Sequence, residues 1–157
     1  MIQATLCFVF RDDPEPGILL GYKKRGFGHG KYDGFGGKRQ DGETLPQAAL
    51  RELQEESGLT AELPDLTSLG NLTFIFPYKP VWDQEVHLFV AQKWQGTPTE
   101  SEEMRPEWFN LTSLPLRQMW DDTRYWLHHI LNCQPIHAIF TLNQDNETVG
   151  NYSIELL

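Results

Sequence analysis

Residues 34–59 read GFGGKRQDGETLPQAALRELQEESGL, and within them RELQEE sets Glu52, Glu55 and Glu56 inside five positions. The stretch carries the signals for both ends of a helix. Thr44 is a ready N-cap, Gln47 stands where a capping box needs it, Pro46 is tolerated in the first turn, and Gly58 suits the left-handed residue that closes a helix. A helix over about 45–57 is therefore predicted. At about 100° per residue the three glutamates share an arc of about 100°, while Leu50 and Leu53 fall on another face. Ala48 and Ala49 lie just above the carboxylates, where small side chains admit a neighbouring loop. Like charges three and four residues apart repel by roughly 0.2–0.5 kcal/mol per pair, so this face needs a partner.

Upstream, ATLCFVF and ILLGYKKR read as strands around the turn RDDPEPG, whose Pro14, Pro16 and Gly17 break regular structure. A glycine-rich loop spans 26–42. Downstream come the strands LTFIFPY (72–78) and VHLFVAQKW (86–94), then EWFN (107–110). A helix across SLPLRQMWDDTRYWLHHIL (113–131) and a closing hairpin from HAIFTLN to NYSIEL complete the chain. Strands and helices without repeated βαβ units give the α+β class, a mixed sheet flanked by two helices. No linker, repeat or low-complexity tract divides the 157 residues, so one domain over 1–157 is expected.

The net charge of −9 excludes a protein that wraps a nucleic-acid polymer, because such binding relies on many lysines and arginines. A small anion stays compatible if a cation or a local basic cluster offsets the repulsion. Hydrophobic residues at 39% exclude a disordered chain, and no apolar run approaches the ~18 residues of a membrane span. Cys7 and Cys133 both stand among apolar neighbours and read as buried thiols in a reducing compartment. The start MIQATLCFVF has no basic region and no cleavage site, and reads as a strand. A cytoplasmic monomer with no membrane partner is expected.

The glutamate cluster has a plain reading, a solvated face with Arg51 and Glu55 as an i,i+4 pair, which describes most charge runs. Its other reading is a hard-cation site, since Mg²⁺ takes a few carboxylates together with waters and substrate phosphates. The register decides. Gly37, five residues, Glu43, seven residues and then RELQEESGL satisfy G-x5-E-x7-R-E-U-x-E-E-x-G-U, with U a bulky aliphatic, at all nine fixed positions. On that motif the chain resembles the Nudix hydrolases, which split nucleoside diphosphates linked to another moiety.

The resemblance implies a Nudix fold, a mixed sheet sandwiched between helices, and Mg²⁺ as cofactor with Mn²⁺ as a substitute. It implies that Glu52, Glu55 and Glu56 bind the metal, that Arg51 orients them, and that Gly36, Gly37 and Lys38 belong to a loop approaching metal and phosphates. Glu100, from a loop, is the further carboxylate implied at the metal and the rival of Glu56 as acceptor of the water proton. The segments KKRGFGHGKYDGFGGK, QGTPTESEEMRPEWF and MWDDTRYW extend the likeness over most of residues 18–126. They resemble the animal MutT-homologue branch of the family, which destroys oxidised purine nucleoside triphosphates such as 8-oxo-dGTP. That branch implies a base pocket of Thr5, Phe27, Asp33, Phe74, Trp120 and Asp122, with Lys23 near the phosphates.

Each pocket residue also has an ordinary role open to it. Phe74 and Phe76 alternate with Ile75 as core fillers do, Asp121 and Asp122 suit a helix cap, and KKR at 23–25 suits a solvated strand end. Trp120 and Trp126 need not share a helix face, so at least one should be structural. His128 and His129 lack spaced partners for a metal. The chain also departs from the branch: Asp33 stands where the branch has asparagine, and Thr123 where it has a second aspartate. With the donors changed, base recognition need not be inherited intact from the branch. The expected activity is Mg²⁺-dependent cleavage of an oxidised purine nucleoside triphosphate to monophosphate and pyrophosphate. The alternatives are another nucleotide substrate for the same chemistry, or a nucleotide-binding module without catalysis.

Overall fold

A computed structural model describes all of residues 1–157. Nine strands form one sheet: β1 Ile2–Arg11, β2 Gly17–Lys23, β3 Tyr32–Asp33, β4 Phe35–Lys38, β5 Leu66–Ile75, β6 Gln84–Ala91, β7 Met104–Asn110, β8 Ile136–Leu142 and β9 Val149–Leu156. Two helices, α1 Leu45–Ser57 and α2 Thr123–Leu131, complete the α+β fold. The strand order is β3-β2-β1-β6-β5-β8-β9, with β4 joining β1 and β7 joining β2. The pairs β1–β6 and β5–β8 are parallel and the rest antiparallel, so the sheet is mixed.

The period of two along the strands assigns the two faces. Cys7 and Val9 of β1 with Leu19 of β2 turn toward Ala49 and Leu53 of α1. Ala4 and Phe8 with Ile18 and Leu20 turn to the opposite core, which holds Trp126, Leu127 and Ile130 of α2. The glutamate helix is therefore fixed by its apolar side, with Leu53 fully buried, and its acidic side is left for the sheet edge. Its capping box is complete: Thr44 Oγ1 accepts from the Gln47 N–H and Gln47 Oε1 accepts from the Thr44 N–H. Gly58 closes the helix at φ 78°. Leu53→Ala is expected to lower unfolding free energy by about 2–5 kcal/mol through the cavity it leaves, measured by denaturant titration.

Several element bounds differ from the sequence expectation, each for a physical reason. The second helix does not run over 113–131; a short 3-10 turn at Leu116–Gln118 precedes a loop, and α2 begins only at Thr123. The loop is held open because Asp121 accepts the Val149 N–H from the final hairpin and also binds Arg124. The glycine-rich segment contains β3 and β4. β5 begins at Leu66, well before residue 72, because Gly70 at φ 90° forms a bulge within the strand and does not end it. β7 starts before Pro106, tolerated because this strand pairs with β2 alone. Cys7 is buried as expected, but Cys133 is exposed, since it follows α2 at φ 51° and leaves the apolar face. No helix is long and apolar enough to cross a membrane.

Candidate active site

One cavity of about 260 Å³ runs between β1, the 23–37 segment, α1, β5, the loop before α2 and the turn joining β8 to β9. It has an acidic end and an aromatic end.

At the acidic end, Glu56 is 8% exposed and its Oε1 accepts the Gly36 N–H at 2.9 Å. Burial, reinforced by the charge of Glu52, pushes its carboxyl up to about 8. Glu52 is raised too, chiefly by burial. Arg51 organises this face. Its guanidinium grips both oxygens of Glu43 at 3.0 and 2.7 Å, and also donates to Glu52 at 3.0 Å, Glu55 at 3.3 Å and the Lys38 carbonyl at 3.2 Å. The hydrogen bonds from Arg51 hold Glu43 down at about 2. The Arg51–Glu55 pair of the plain reading thus exists, but within a network that also fixes the loop carrying Gly37.

In β4 only glycine fits at position 36, where a Cβ would collide with the Thr5 backbone carbonyl; one on Gly37 would lie 2.6 Å from Glu52 Oε1 and push that carboxylate aside. The backbone of β4 is thereby pressed against the helix carboxylates. No three His, Cys, Asp or Glu side chains are gathered closely enough to form a ready metal shell. Glu52 and Glu55 share one nitrogen of Arg51, and Glu55 is 59% exposed. The residues still fit a hard divalent cation: the donors are oxygens, and Glu56 is a buried carboxyl with no cationic partner within bonding distance.

Glu100 lies outside the cavity lining, ion-paired with Lys24, which holds its carboxyl below the usual range. Lys23 lines the cavity and pairs with Glu103 at 3.5 Å. Glu103, absent from the sequence expectation, is the loop carboxylate whose charge reaches Glu52.

At the aromatic end, Phe27 stacks on Trp120 with ring centroids 5.1 Å apart, and Lys31 Nζ lies 5.0 Å from the Trp120 ring centroid. Phe74 lines the cavity while stacking on Phe140 at 5.7 Å, so it serves core and pocket together. Trp126 is the structural tryptophan, buried against Phe8. Asp122 occupies the N-cap position of α2 yet makes no side-chain cap bond; it accepts from Trp126 Nε1 at 2.7 Å. Asp122 is buried and Asp33 half-buried, both line the cavity, and desolvation raises Asp33 to about 7 and Asp122 to about 6. Thr5 Oγ1 is buried there without a partner. Lys31, Gln84, Asn146 and Glu147 also line the cavity and went unseen in the sequence, and Phe76, read as a core filler, lines it too.

The raised carboxyls make a pH prediction for the metal-free protein. Asp33 and Asp122 keep their protons to higher pH when folded, so their contribution is complete below about pH 4 and is lost as pH rises through about 6 and 7. Calorimetry in chelator is expected to show stability falling by on the order of 1–3 kcal/mol from pH 5 to 8, with Asp33→Asn removing part of the fall. Glu43 acts oppositely: its contribution is present above the ordinary carboxylate range and is lost as pH falls toward about 2.

Comparison with known proteins adds four findings. The NUDIX domain matches residues 2–130. The chain is 46% identical over 137 residues to the oxidized purine nucleoside triphosphate hydrolase of Mus musculus, covering 87% of this chain and 85% of the mouse protein. It is 52% identical over 113 residues to the protein of the same description from Danio rerio, covering 71% and 70%. The fold superposes on the crystal structure of the mMutator MutT protein of Bacillus halodurans with a TM-score of 0.82 at 24% identity, over 99% of this chain and 98% of that one, a likeness of fold alone.

Proposed function

This chain belongs to the Nudix family, and from that premise we propose that it hydrolyses oxidised purine nucleoside triphosphates, 8-oxo-dGTP among them, to the monophosphate and pyrophosphate with Mg²⁺. The observation that carries this reading is the single cavity whose one end is Glu56 against the Gly36–Gly37 backbone and whose other end is Phe27, Trp120, Asp33 and Asp122. Triphosphate and base need such opposite surroundings within one continuous cavity.

Nudix hydrolases use divalent cations; here Glu52, Glu55, Glu56 and Gly36 would hold the ion, which neutralises charge on the pyrophosphate and on the leaving group. The remaining work falls to the chain. Arg51 keeps Glu52 from turning away and, through Glu43 and the Lys38 carbonyl, fixes the glycine loop beside it. Lys23 lends positive charge to an otherwise acidic end. Glu56, inside the cavity, takes the proton of the attacking water in preference to Glu100, which lies outside it and is ion-paired with Lys24. Phe27 and Trp120 exclude water from the base, and Asp33 and Asp122 meet its N–H groups.

The same reading has the protein acting in the cytoplasm as a monomer, with Glu100 outside the first contacts of the ion. The test is a turnover panel of oxidised and ordinary purine nucleoside triphosphates, with and without Mg²⁺. Release of pyrophosphate from 8-oxo-dGTP in preference to dGTP supports the reading. Equal turnover, or binding without turnover, removes it.

A further inference from the structure

The turn between β8 and β9 forms one wall of the cavity, and it is braced from both sides. Glu147 pairs with Lys31 at 3.3 Å, Lys31 lies over Trp120, and Asp121 accepts the Val149 N–H at 2.9 Å. Asp145 accepts the backbone N–H groups of Glu147 and Thr148, both at 2.9 Å. Within this turn Asn146 takes φ 56°, and its N–H donates to the Asn143 carbonyl at 2.9 Å. Its side-chain Oδ1 is buried with no partner, in the cavity lining.

Three buried side-chain polar atoms in the whole chain lack a partner: Thr5 Oγ1, Arg11 Nε and Asn146 Oδ1. Two of the three line this one cavity. Native chains leave few such groups, because each forfeits the hydrogen bond it gave up in water. A buried acceptor without a partner, on a residue that lines the cavity from a braced turn, can take a donor from a bound base once the amide turns toward it.

Building on the oxidised-purine reading, we propose that Asn146 is a specificity-determining residue whose Oδ1 accepts the N7–H that guanine gains when it is oxidised at C8. The base offers donors at N1, N2 and, only in the 8-oxo form, N7. Asp33 and Asp122 are carboxyls suited to the adjacent N1 and N2 donors, which leaves N7 for another wall. Asp121 binds the turn that carries Asn146 and is the neighbour of Asp122, so the amide stands on the wall beside the carboxyl end. Ordinary guanine presents a lone pair at N7, and an acceptor facing a lone pair loses its bond, so the site disfavours the undamaged base.

The experiment is calorimetric binding of 8-oxo-dGMP and dGMP, without metal, to the wild-type protein, Asn146→Gly and Asn146→Asp. Glycine keeps the left-handed backbone and deletes the amide, and aspartate keeps an acceptor that cannot turn a donor toward N7. Asn146→Gly is expected to weaken 8-oxo-dGMP by about ten-fold, the value of one net hydrogen bond, and dGMP by less than about two-fold. Asn146→Asp is expected to retain at least the wild-type preference for the oxidised base. Equal losses of both ligands in Asn146→Gly would assign the amide to the sugar or the turn and overturn the proposal, as would no loss at all. A wild-type protein that binds both monophosphates equally overturns it too, while the hydrolase reading stands or falls separately on pyrophosphate release.

Discussion

Glu56→Gln is expected to lower kcat for 8-oxo-dGTP by on the order of 10³-fold or more, with the fold intact. The substitution keeps the shape of the side chain and leaves an oxygen to accept the Gly36 N–H, but it removes the carboxylate, and with it the proposed proton acceptor, from the buried end of the cavity. Folding should not suffer, because this carboxyl is raised to about 8 by burial and costs the metal-free protein stability once it ionises. The metal-free variant should therefore melt no lower than the parent above pH 8 while turning over almost nothing. Glu100→Gln should act far less, since its carboxylate is committed to Lys24 outside the cavity. Near-parental turnover of Glu56→Gln in saturating Mg²⁺ would remove Glu56 from the chemistry.

The second large effect is expected at Asp122. Asp122→Asn retains an oxygen for Trp126 Nε1, so the core stays tied, but the base loses a charged acceptor. The loss in kcat/KM for 8-oxo-dGTP should be about 1.5–3 kcal/mol, carried mostly by KM, with discrimination among bases flattened. Asp122→Ala should add a stability loss of about 1–3 kcal/mol, because the buried Trp126 N–H is then orphaned. Thr123→Asp combined with Asp33→Asn should raise preference for 8-oxo-dGTP by returning the carboxyl to α2 and an amide to β3. Unchanged base preference in Asp122→Asn would reduce Asp122 to an anchor for Trp126.

The acidic end of the site was legible because it is local. Thr44, Gln47 and Gly58 mark the ends of α1, and one helical period sets Glu52, Glu55 and Glu56 together. What the period cannot express is that Arg51 reaches back to Glu43 and the Lys38 carbonyl, or that Glu55 swings toward solvent. The aromatic end is non-local. Phe27, Phe74 and Trp120 come from three separate segments, and only resemblance connected them. Asn146 and Glu147 sit in a run, NQDNET, whose residue types signal a turn and nothing more, so their place on the cavity wall emerges only when β8 and β9 fold back. The bounds of β5 and β7 were hidden by Gly70 and Pro106, which usually end strands; here one makes a bulge and the other sits where only one neighbour pairs.

The parallel pairing of β1 with β6, from Ile2 opposite Gln84 to Val9 opposite Ala91, has a kinetic consequence. A strand made among the first residues must wait for more than half the chain before its second flank is covered, and β5 waits in its turn for β8. Such separations slow folding toward the millisecond-to-second range and leave hydrogen-bonding edges bare in the interval. As the chain leaves the ribosome, β1, β2, β4 and α1 can assemble the carboxylate end well before the wall formed by Trp120 and Asn146 exists. Chaperone protection of that half-built sheet would matter most in this window, when the carboxylate end has formed and the aromatic wall has not.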